Sequence, residues 1–126
     1  MASLAPIAVT CGDPSGIGLE ITLKAWKALR NEFPFFIIAD PGHFADTAAI
    51  NIIDTPARTL QAMPHGLPVL PHSFAREATP GRPSHDNARG VVEVIERGVQ
   101  LVTGGQASAL CTAPISKKEL VDHAGF

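Results

Sequence analysis

Two short loops carry residue types that could hold a negatively charged ligand. The first loop, Gly12 to Gly18, reads Gly-Asp-Pro-Ser-Gly-Ile-Gly and follows an apolar run. Glycines let backbone N–H groups approach a ligand, and a following helix adds positive potential at its N-terminus. The spacing differs from the dinucleotide-binding and P-loop fingerprints, and Asp13 stands where a nucleophile elbow needs glycine. Spacing alone therefore leaves a ligand loop and a tight turn equally open.

The second loop, Thr112 to Lys118, places two lysines at the start of a helix. Ser116 and Glu119 fit the S-x-x-E capping box, which predicts a helix from Lys117 to Gly125. Cations in a first turn oppose the helix dipole and cost about 0.3–1 kcal/mol unless an anion offsets them. A bound phosphate or carboxylate would explain this placement. Two solvated surface lysines are the other interpretation.

Alternating strands and helices must position these loops. Apolar runs predict buried strands at 7–10, 35–39 and 107–112. The second run is apolar throughout, which is typical of a parallel sheet covered on both faces. Helical spacing predicts a helix from Leu19 that stops before Pro34. We therefore predict one α/β domain over residues 1–126, with a mostly parallel sheet, helices on both faces, and both loops at the carboxyl edge.

The longest predicted helix has a stripe of apolar residues at helical spacing. Its members are Ala88, Val91, Val92, Ile95, Val99 and Val102. We expect Ser84 or Asp86 to cap its start, and Gly104 to end it in the left-handed conformation. Residues 79–83, rich in proline and glycine, are expected to form a linker that could move.

The middle of the chain gives weaker signals. A short helix is expected over residues 44–49. Ile52-Ile53 and Val69-Leu70 look like strand fragments, but the prolines of this region permit only short or edge strands. We therefore expect residues 51–74 to be irregular.

Composition excludes several classes of protein. The chain has 126 residues, 45% hydrophobic, and a formal net charge of −2, so it presents no field that attracts nucleic acid or anionic lipid. No export signal or membrane-length apolar run is visible, so we expect a soluble cytoplasmic protein. Cys11 and Cys111 are expected to be reduced packing residues that could lie close together. The five histidines lack metal-ligand spacing, so we expect no metal site within the chain.

Together the two loops resemble one family, the 4-hydroxythreonine-4-phosphate dehydrogenases. Residues 9–20 are similar to the family's opening signature, G-[DE]-P-[AS]-G-I-G-x-[DE]. Residues 111–117 are similar to its T-[AG]-P-[IV]-x-K segment, and residues 81–84 stand where the family has a similar stretch. The order and spacing of the motifs match over nearly the whole chain.

The resemblance implies a fold like that of the isocitrate and isopropylmalate dehydrogenases, here truncated. It also implies NAD- or NADP-linked oxidation of 4-phosphohydroxy-L-threonine, with decarboxylation to 3-amino-2-oxopropyl phosphate on the way to pyridoxal phosphate. A homodimer is implied, as is a divalent metal (zinc, magnesium or cobalt) that polarises the substrate hydroxyl. The family's Gly-His-Thr-Glu segment and metal-ligand histidines come later than Phe126. We therefore expect the chain to be an N-terminal part that is inactive alone.

The resemblance also assigns roles to residues of the two loops. Those on the cofactor side are Gly12, Asp13, Gly16, Ile17 and Gly18. Those on the substrate side are Thr112, Pro114 and Lys117, with Lys118 as the second candidate for the family's lysine. No proton-transfer residue is implied within this chain.

Three alternatives remain open at this point. A related enzyme would oxidise D-threonate or D-erythronate 4-phosphate, and the residues present do not separate these substrates. A non-catalytic domain would bind a phosphorylated metabolite through the two helix starts. A structural piece would fold and bind nothing.

Overall fold

The computed structural model describes residues 5–125 and has one parallel sheet at its centre. The strands are β1 (Ile7–Thr10), β2 (Phe35–Ala39), β3 (Ile50–Ile52), β4 (Leu67–Pro71) and β5 (Ala109–Thr112). Their order is β3-β4-β2-β1-β5, and every pairing is parallel. The predicted α/β class and the strands at 7–10 and 35–39 are confirmed, and β2 is buried at every residue.

Helices connect the strands on both faces of the sheet. They are α1 (Gly18–Leu29), α2 (Thr59–Ala62), α3 (Ala88–Thr103) and α4 (Lys117–Ala124), with 3-10 turns at Pro41–His43, Pro56–Arg58 and His85–Asn87. Side chains alternate between the two faces of a strand. α3 lies over Thr10 and Leu110, whereas α1 flanks the face that carries Val9 and Cys111. Among the described residues, no helix is both long enough and apolar enough to cross a bilayer.

β4 corrects the prediction that the middle of the chain is irregular. This strand lies inside the sheet, between β3 and β2, although it contains two prolines. Leu67 donates its N–H to the Ala49 carbonyl on the β3 side, so the nitrogen of Pro68 faces β2. Pairing with β2 begins at Val69, and pairing with β3 ends there, before Pro71. Each proline thus occupies a position where the neighbouring strand needs no N–H donor.

The helix predicted over residues 44–49 is also wrong. The chain turns earlier, in the 3-10 segment that begins at Pro41. The side chain of Asp40 accepts a hydrogen bond from the Gly42 N–H at 2.9 Å and from the Phe74 N–H at 3.0 Å. An aspartate before a proline therefore builds a local turn here and ties it to the segment after β4.

The buried face of α3 is rotated from the predicted stripe. Val94 is fully buried, whereas Val99 is 50% exposed. Gly98 explains the rotation, because a Cβ at this position would lie 2.6 Å from Leu110 Cδ1 and 3.3 Å from Thr10 Cγ2. The helix backbone approaches the sheet at this glycine. A prediction based on apolar side chains does not include a glycine in the buried face.

Both predicted ends of α3 need correction. Within the described chain, neither Ser84 nor Asp86 caps the helix, because a 3-10 turn leads straight into it. The Asp86 carboxylate instead accepts from Arg76 Nε at 2.9 Å. Gly104 keeps a right-handed φ of −80°, and Gly105, at φ +79°, takes the left-handed position.

β5 is an edge strand and not the buried strand expected over residues 107–112. Ala109, Cys111 and Thr112 are exposed, although α3 covers Leu110. The two cysteines therefore differ: Cys11 is buried beyond the end of β1, and Cys111 is exposed. The expectation that both are packing residues holds only for Cys11, and both are free thiols.

Candidate functional site

The two candidate loops lie side by side at the carboxyl edge of the sheet. They follow neighbouring parallel strands, in which Thr10 is paired with Thr112. The Ala113 N–H donates to the Thr10 carbonyl at 3.1 Å, and the Asp13 N–H donates to the Pro114 carbonyl at 3.0 Å. The prediction that both loops emerge at the same edge is confirmed, because a backbone hydrogen bond joins them.

Two glycines make this contact possible. Gly12 has φ +66°, and a Cβ there would collide with the Pro114 carbonyl oxygen. A Cβ on Gly18 would lie 2.6 Å from the Cys11 carbonyl oxygen and 2.9 Å from Ala113 Cβ. Both glycines are therefore needed for the close approach of the two loops.

Most amide groups of the first loop are satisfied within the protein. The Asp13 carboxylate accepts from the Ser15 N–H at 2.9 Å and from the Ser15 hydroxyl at 2.7 Å. The Gly16 N–H donates to the Asp13 carbonyl at 3.0 Å. Asp13 thus braces the loop. The N–H groups left for a ligand are those of the first turn of α1, where Ile17 is the N-cap residue, lacks a side-chain cap in this structure, and is 57% exposed.

The second loop presents two free cations. Ser116 caps α4 as predicted, since its hydroxyl accepts from the Glu119 N–H at 3.4 Å, and Gly125 ends the helix at φ +66°. Lys117 and Lys118 are both exposed, and among residues 5–125 neither takes part in an ion pair. Glu119 is the acidic residue of this first turn, and its carboxylate pairs with His85 and His123 and with neither lysine.

Residues 79–83 form a turn that is held against the first loop. The Gly81 N–H donates to the Ser15 carbonyl at 2.8 Å, and the Arg82 N–H donates to the Thr79 carbonyl at 3.0 Å. The predicted linker is thus anchored at its centre, and it places the exposed Arg82 beside the first loop. The resemblance in residues 81–84 was the sequence signal for this third segment, although it named no site residue there.

The edge formed by these segments is open. The cleft between Asp13, Ser84 and Ser116 has a volume of about 10 Å³, room for about one water. A larger apolar groove of about 350 Å³ lies between α1 and β5, and both Thr112 and Pro114 line it. The cleft at the two loops is therefore too small to enclose a metabolite.

The buried thiol at this edge is chemically inert. Burial raises the pKa of Cys11 from 9.0 to about 12, helped by the nearby carboxylates of Asp13 and Asp40. A thiol with such a pKa stays protonated at neutral pH, and the thiolate is the nucleophilic form. Cys11 is therefore a packing residue.

One cluster of side chains has a metal-ligand arrangement, and it lies along α4. His85, Glu119 and His123 place their donor atoms within 4.8 Å of one another. The two loops offer no comparable set, since Asp13 is engaged with Ser15. The residues of the loops therefore do not fit the metal that the resemblance implies. A search of the sequence for two histidines four residues apart misses this cluster. On α4 the pair is Glu119 and His123, and the second histidine, His85, lies in the turn before α3.

A family model described as "Pyridoxal phosphate biosynthetic protein PdxA" matches residues 31–126. The chain belongs to the PdxA family. The match covers most of the chain, including the second loop and the turn over residues 79–83. The family resemblance seen in the sequence is thereby confirmed.

Named relatives agree with this assignment. The 4-hydroxythreonine-4-phosphate dehydrogenase of Ruegeria sp. (strain TM1040) is 48% identical over 120 residues, which are 95% of this chain and 37% of that protein. The crystal structure of the enzyme of that name from Klebsiella pneumoniae is 25% identical, with a TM-score of 0.77 over 94% of this chain and 40% of that chain. The structure of that name from Burkholderia phymatum has a TM-score of 0.80 and is 23% identical, over 98% of this chain and 40% of that chain. The chain thus spans little more than a third of the length of these proteins.

Proposed function

We propose that the chain supplies one wall of the active site of a 4-hydroxythreonine-4-phosphate dehydrogenase in pyridoxal phosphate biosynthesis. The observation that carries the proposal is the contact between the two family motifs, made by the hydrogen bond from Asp13 to Pro114. The names of the relatives support the substrate, and they give no support to the alternative sugar-acid phosphates. The proposed reaction is NAD- or NADP-dependent oxidation of 4-phosphohydroxy-L-threonine, followed by decarboxylation.

In this proposal the residues of the chain bind and orient the cofactor and the substrate. The uncapped first turn of α1 and the cation Lys117 attract phosphate groups of the cofactor and the substrate. Gly12, Gly16 and Gly18 shape the cofactor loop, which Asp13 braces, and Ile17 stands at its exposed tip. A divalent metal, held by ligands from outside this chain, would supply Lewis-acid polarisation of the substrate hydroxyl.

The open edge fits a site that other polypeptide completes. A cleft of about 10 Å³ at the two loops cannot enclose a phosphorylated amino acid. We propose that the remainder of a longer chain and a second subunit close the site, as the resemblance to a homodimeric family implies. A cytoplasmic location belongs to the same proposal.

A chimaera tests the proposal directly. This chain would replace the matching N-terminal part of the Ruegeria sp. protein, to which it is 48% identical. We expect reduction of NAD or NADP in the presence of 4-phosphohydroxy-L-threonine. Lys117→Ala should raise the KM for that substrate about tenfold, the effect of losing about 1.4 kcal/mol of binding. Lys118→Ala is the matched control and should change KM less.

Two outcomes would count against the proposal. A folded chimaera that binds phosphate but reduces no cofactor, while the parent protein does, would favour the non-catalytic binding domain. If both lysine variants change KM equally and only slightly, Lys117 and Lys118 are solvated surface lysines. Far-UV circular dichroism of each variant checks that the protein is folded.

A further inference from the structure

Three side chains converge on the surface between α4 and the turn before α3. His85 Nδ1 lies 2.8 Å from Glu119 Oε2, and His123 Nε2 lies 3.7 Å from the same oxygen. The imidazole rings of His85 and His123 are stacked, with centroids 3.8 Å apart and planes inclined by 35°. The three donor atoms therefore lie within 4.8 Å of one another.

The donor set suits a borderline divalent ion such as Zn²⁺. Two imidazole nitrogens and one carboxylate oxygen are ligands that zinc prefers, with bond lengths of about 2.0–2.2 Å. Tetrahedral bonds of that length separate neighbouring ligand atoms by about 3.3 Å. The spacings of 2.8 Å and 3.7 Å lie on either side of this value, and all three donor atoms lie within 4.8 Å of one another, so metal binding requires small shifts of these side chains.

Packing of the backbone holds the three residues in place. Glu119 and His123 are four apart on α4, so they project from one face of the helix. α4 is anchored by Leu120, which is 2% exposed and packs in a cluster with Ala88 and Val91 of α3. The ligands therefore stand on two packed elements, which lowers the conformational entropy lost on metal binding.

Glu119 is already committed to this cluster. Its position in the capping box would let its carboxylate bond back to the backbone of Ser116. Instead the carboxylate reaches His85, and only the Glu119 N–H takes part in the cap. The capping box therefore forms only in part, and the carboxylate spans from α4 to the turn before α3.

We propose that His85, Glu119 and His123 bind one divalent transition-metal ion of the zinc type, with water in the remaining coordination position. On binding, bonds to the metal replace the hydrogen bond between His85 Nδ1 and Glu119. Any proton on Nδ1 passes to solvent, and the neutral imidazole carries its proton on Nε2. The ion fastens the start of α4 to the start of α3, and so holds the second loop that carries Lys117. This proposal does not depend on the dehydrogenase function.

The test measures metal binding and needs no enzyme assay. Zn²⁺ would be titrated calorimetrically into the metal-free chain, and Co²⁺ binding would be followed by its visible absorption. We expect one ion per chain and a rise in Tm with added Zn²⁺. His123→Ala and His85→Ala should each weaken Zn²⁺ binding at least tenfold, and Glu119→Gln should do the same while it keeps the helix. His65→Ala removes an exposed histidine outside the cluster and is the matched control.

The proposal fails if Zn²⁺ binds the wild-type chain no more tightly than it binds His123→Ala. It also fails if His65→Ala weakens binding as much as the cluster variants do, because binding would then be nonspecific. The ligand side chains are at the surface, so the variants should keep the fold, and circular dichroism checks this. In either failure the cluster is an ordinary network of hydrogen bonds.

Discussion

Substitution of Gly12 by alanine tests the contact on which the candidate site depends. Gly12 combines a left-handed φ of +66° with a Cβ direction that points at the Pro114 carbonyl. The carbonyl carbon of Ala113 would lie only 2.9 Å away. Both obstacles are backbone atoms, so the clash cannot be relieved by a change of rotamer. Relief requires the second loop to move, which would break the hydrogen bond from Asp13.

The expected cost is large for a single methyl group. The left-handed backbone costs alanine about 1–2 kcal/mol. Overpacking adds about 1–3 kcal/mol, and loss of a backbone hydrogen bond adds about 1 kcal/mol. Part of this is offset because alanine restricts the unfolded chain. We expect Gly12→Ala to lower the free energy of unfolding by about 2–5 kcal/mol.

Gly105→Ala is the matched control. Gly105 has a similar left-handed φ of +79°, but no heavy atom lies within 4 Å of its Cβ position. Gly105→Ala should lower the free energy of unfolding only by the cost of the left-handed backbone, about 1 kcal/mol. The difference between the two variants therefore isolates the contact between the loops.

Urea unfolding supplies the measurement. Trp26 is the single tryptophan of the chain, is 4% exposed, and donates its indole N–H to the Met63 carbonyl at 2.9 Å. Its fluorescence should report loss of the core. A lower midpoint with an unchanged slope would indicate a loss of stability without a change in the denatured state. If Gly12→Ala costs no more than Gly105→Ala, the two loops are not in the contact described.

Three further predictions concern two buried threonines and the two cysteines. Thr10→Val should raise the free energy of unfolding by up to about 1 kcal/mol, because the buried Thr10 hydroxyl has no partner among the described residues. Thr22→Val should lower the free energy of unfolding by about as much, because the Thr22 hydroxyl donates to the Gly18 carbonyl at 2.7 Å. Urea titration compares the two, and a gain for neither or for both would contradict the reasoning. An aromatic disulfide reagent at pH 8 should modify one thiol per folded chain, and Cys111→Ser should abolish that reaction; a fast second thiol would mean that Cys11 is accessible. The raised pKa of Cys11 keeps its proton in the folded state, so stability should be full below pH 9.0 and fall as pH rises toward about 12; Cys11→Ala should flatten this part of the pH profile.

The sequence predicts the elements that have strong periodicity and the loops that join them. β1, β2 and the start of α1 lie where hydrophobic spacing places them, and α4 begins where its capping residue Ser116 places it. Adjacency of the two loops follows from topology, because the carboxyl ends of neighbouring parallel strands meet at one edge. These inferences succeed because each depends on local spacing or on a general rule of parallel sheets.

Features that depend on tertiary neighbours are missed. The interior position of β4 depends on which side of the strand each proline nitrogen faces, and that is set by its partners. The rotation of α3 depends on Gly98, because the helix backbone packs directly against Leu110 and leaves no room for a side chain at this position. The cluster of His85 with Glu119 joins residues 34 positions apart. Single-sequence spacing contains none of this information.

Among residues 5–125, no strand pairs with the outer side of β5, and this has a consequence for handling the protein. The strand reads Ala-Leu-Cys-Thr and carries no charge or proline that would discourage pairing with another chain. An apolar groove borders it, and Cys111 is exposed on it. At high concentration, molecules should align along this strand, and oxidation would then lock such pairs as covalent dimers. Dilute, reducing buffers are therefore the conditions in which to study the isolated 126-residue polypeptide.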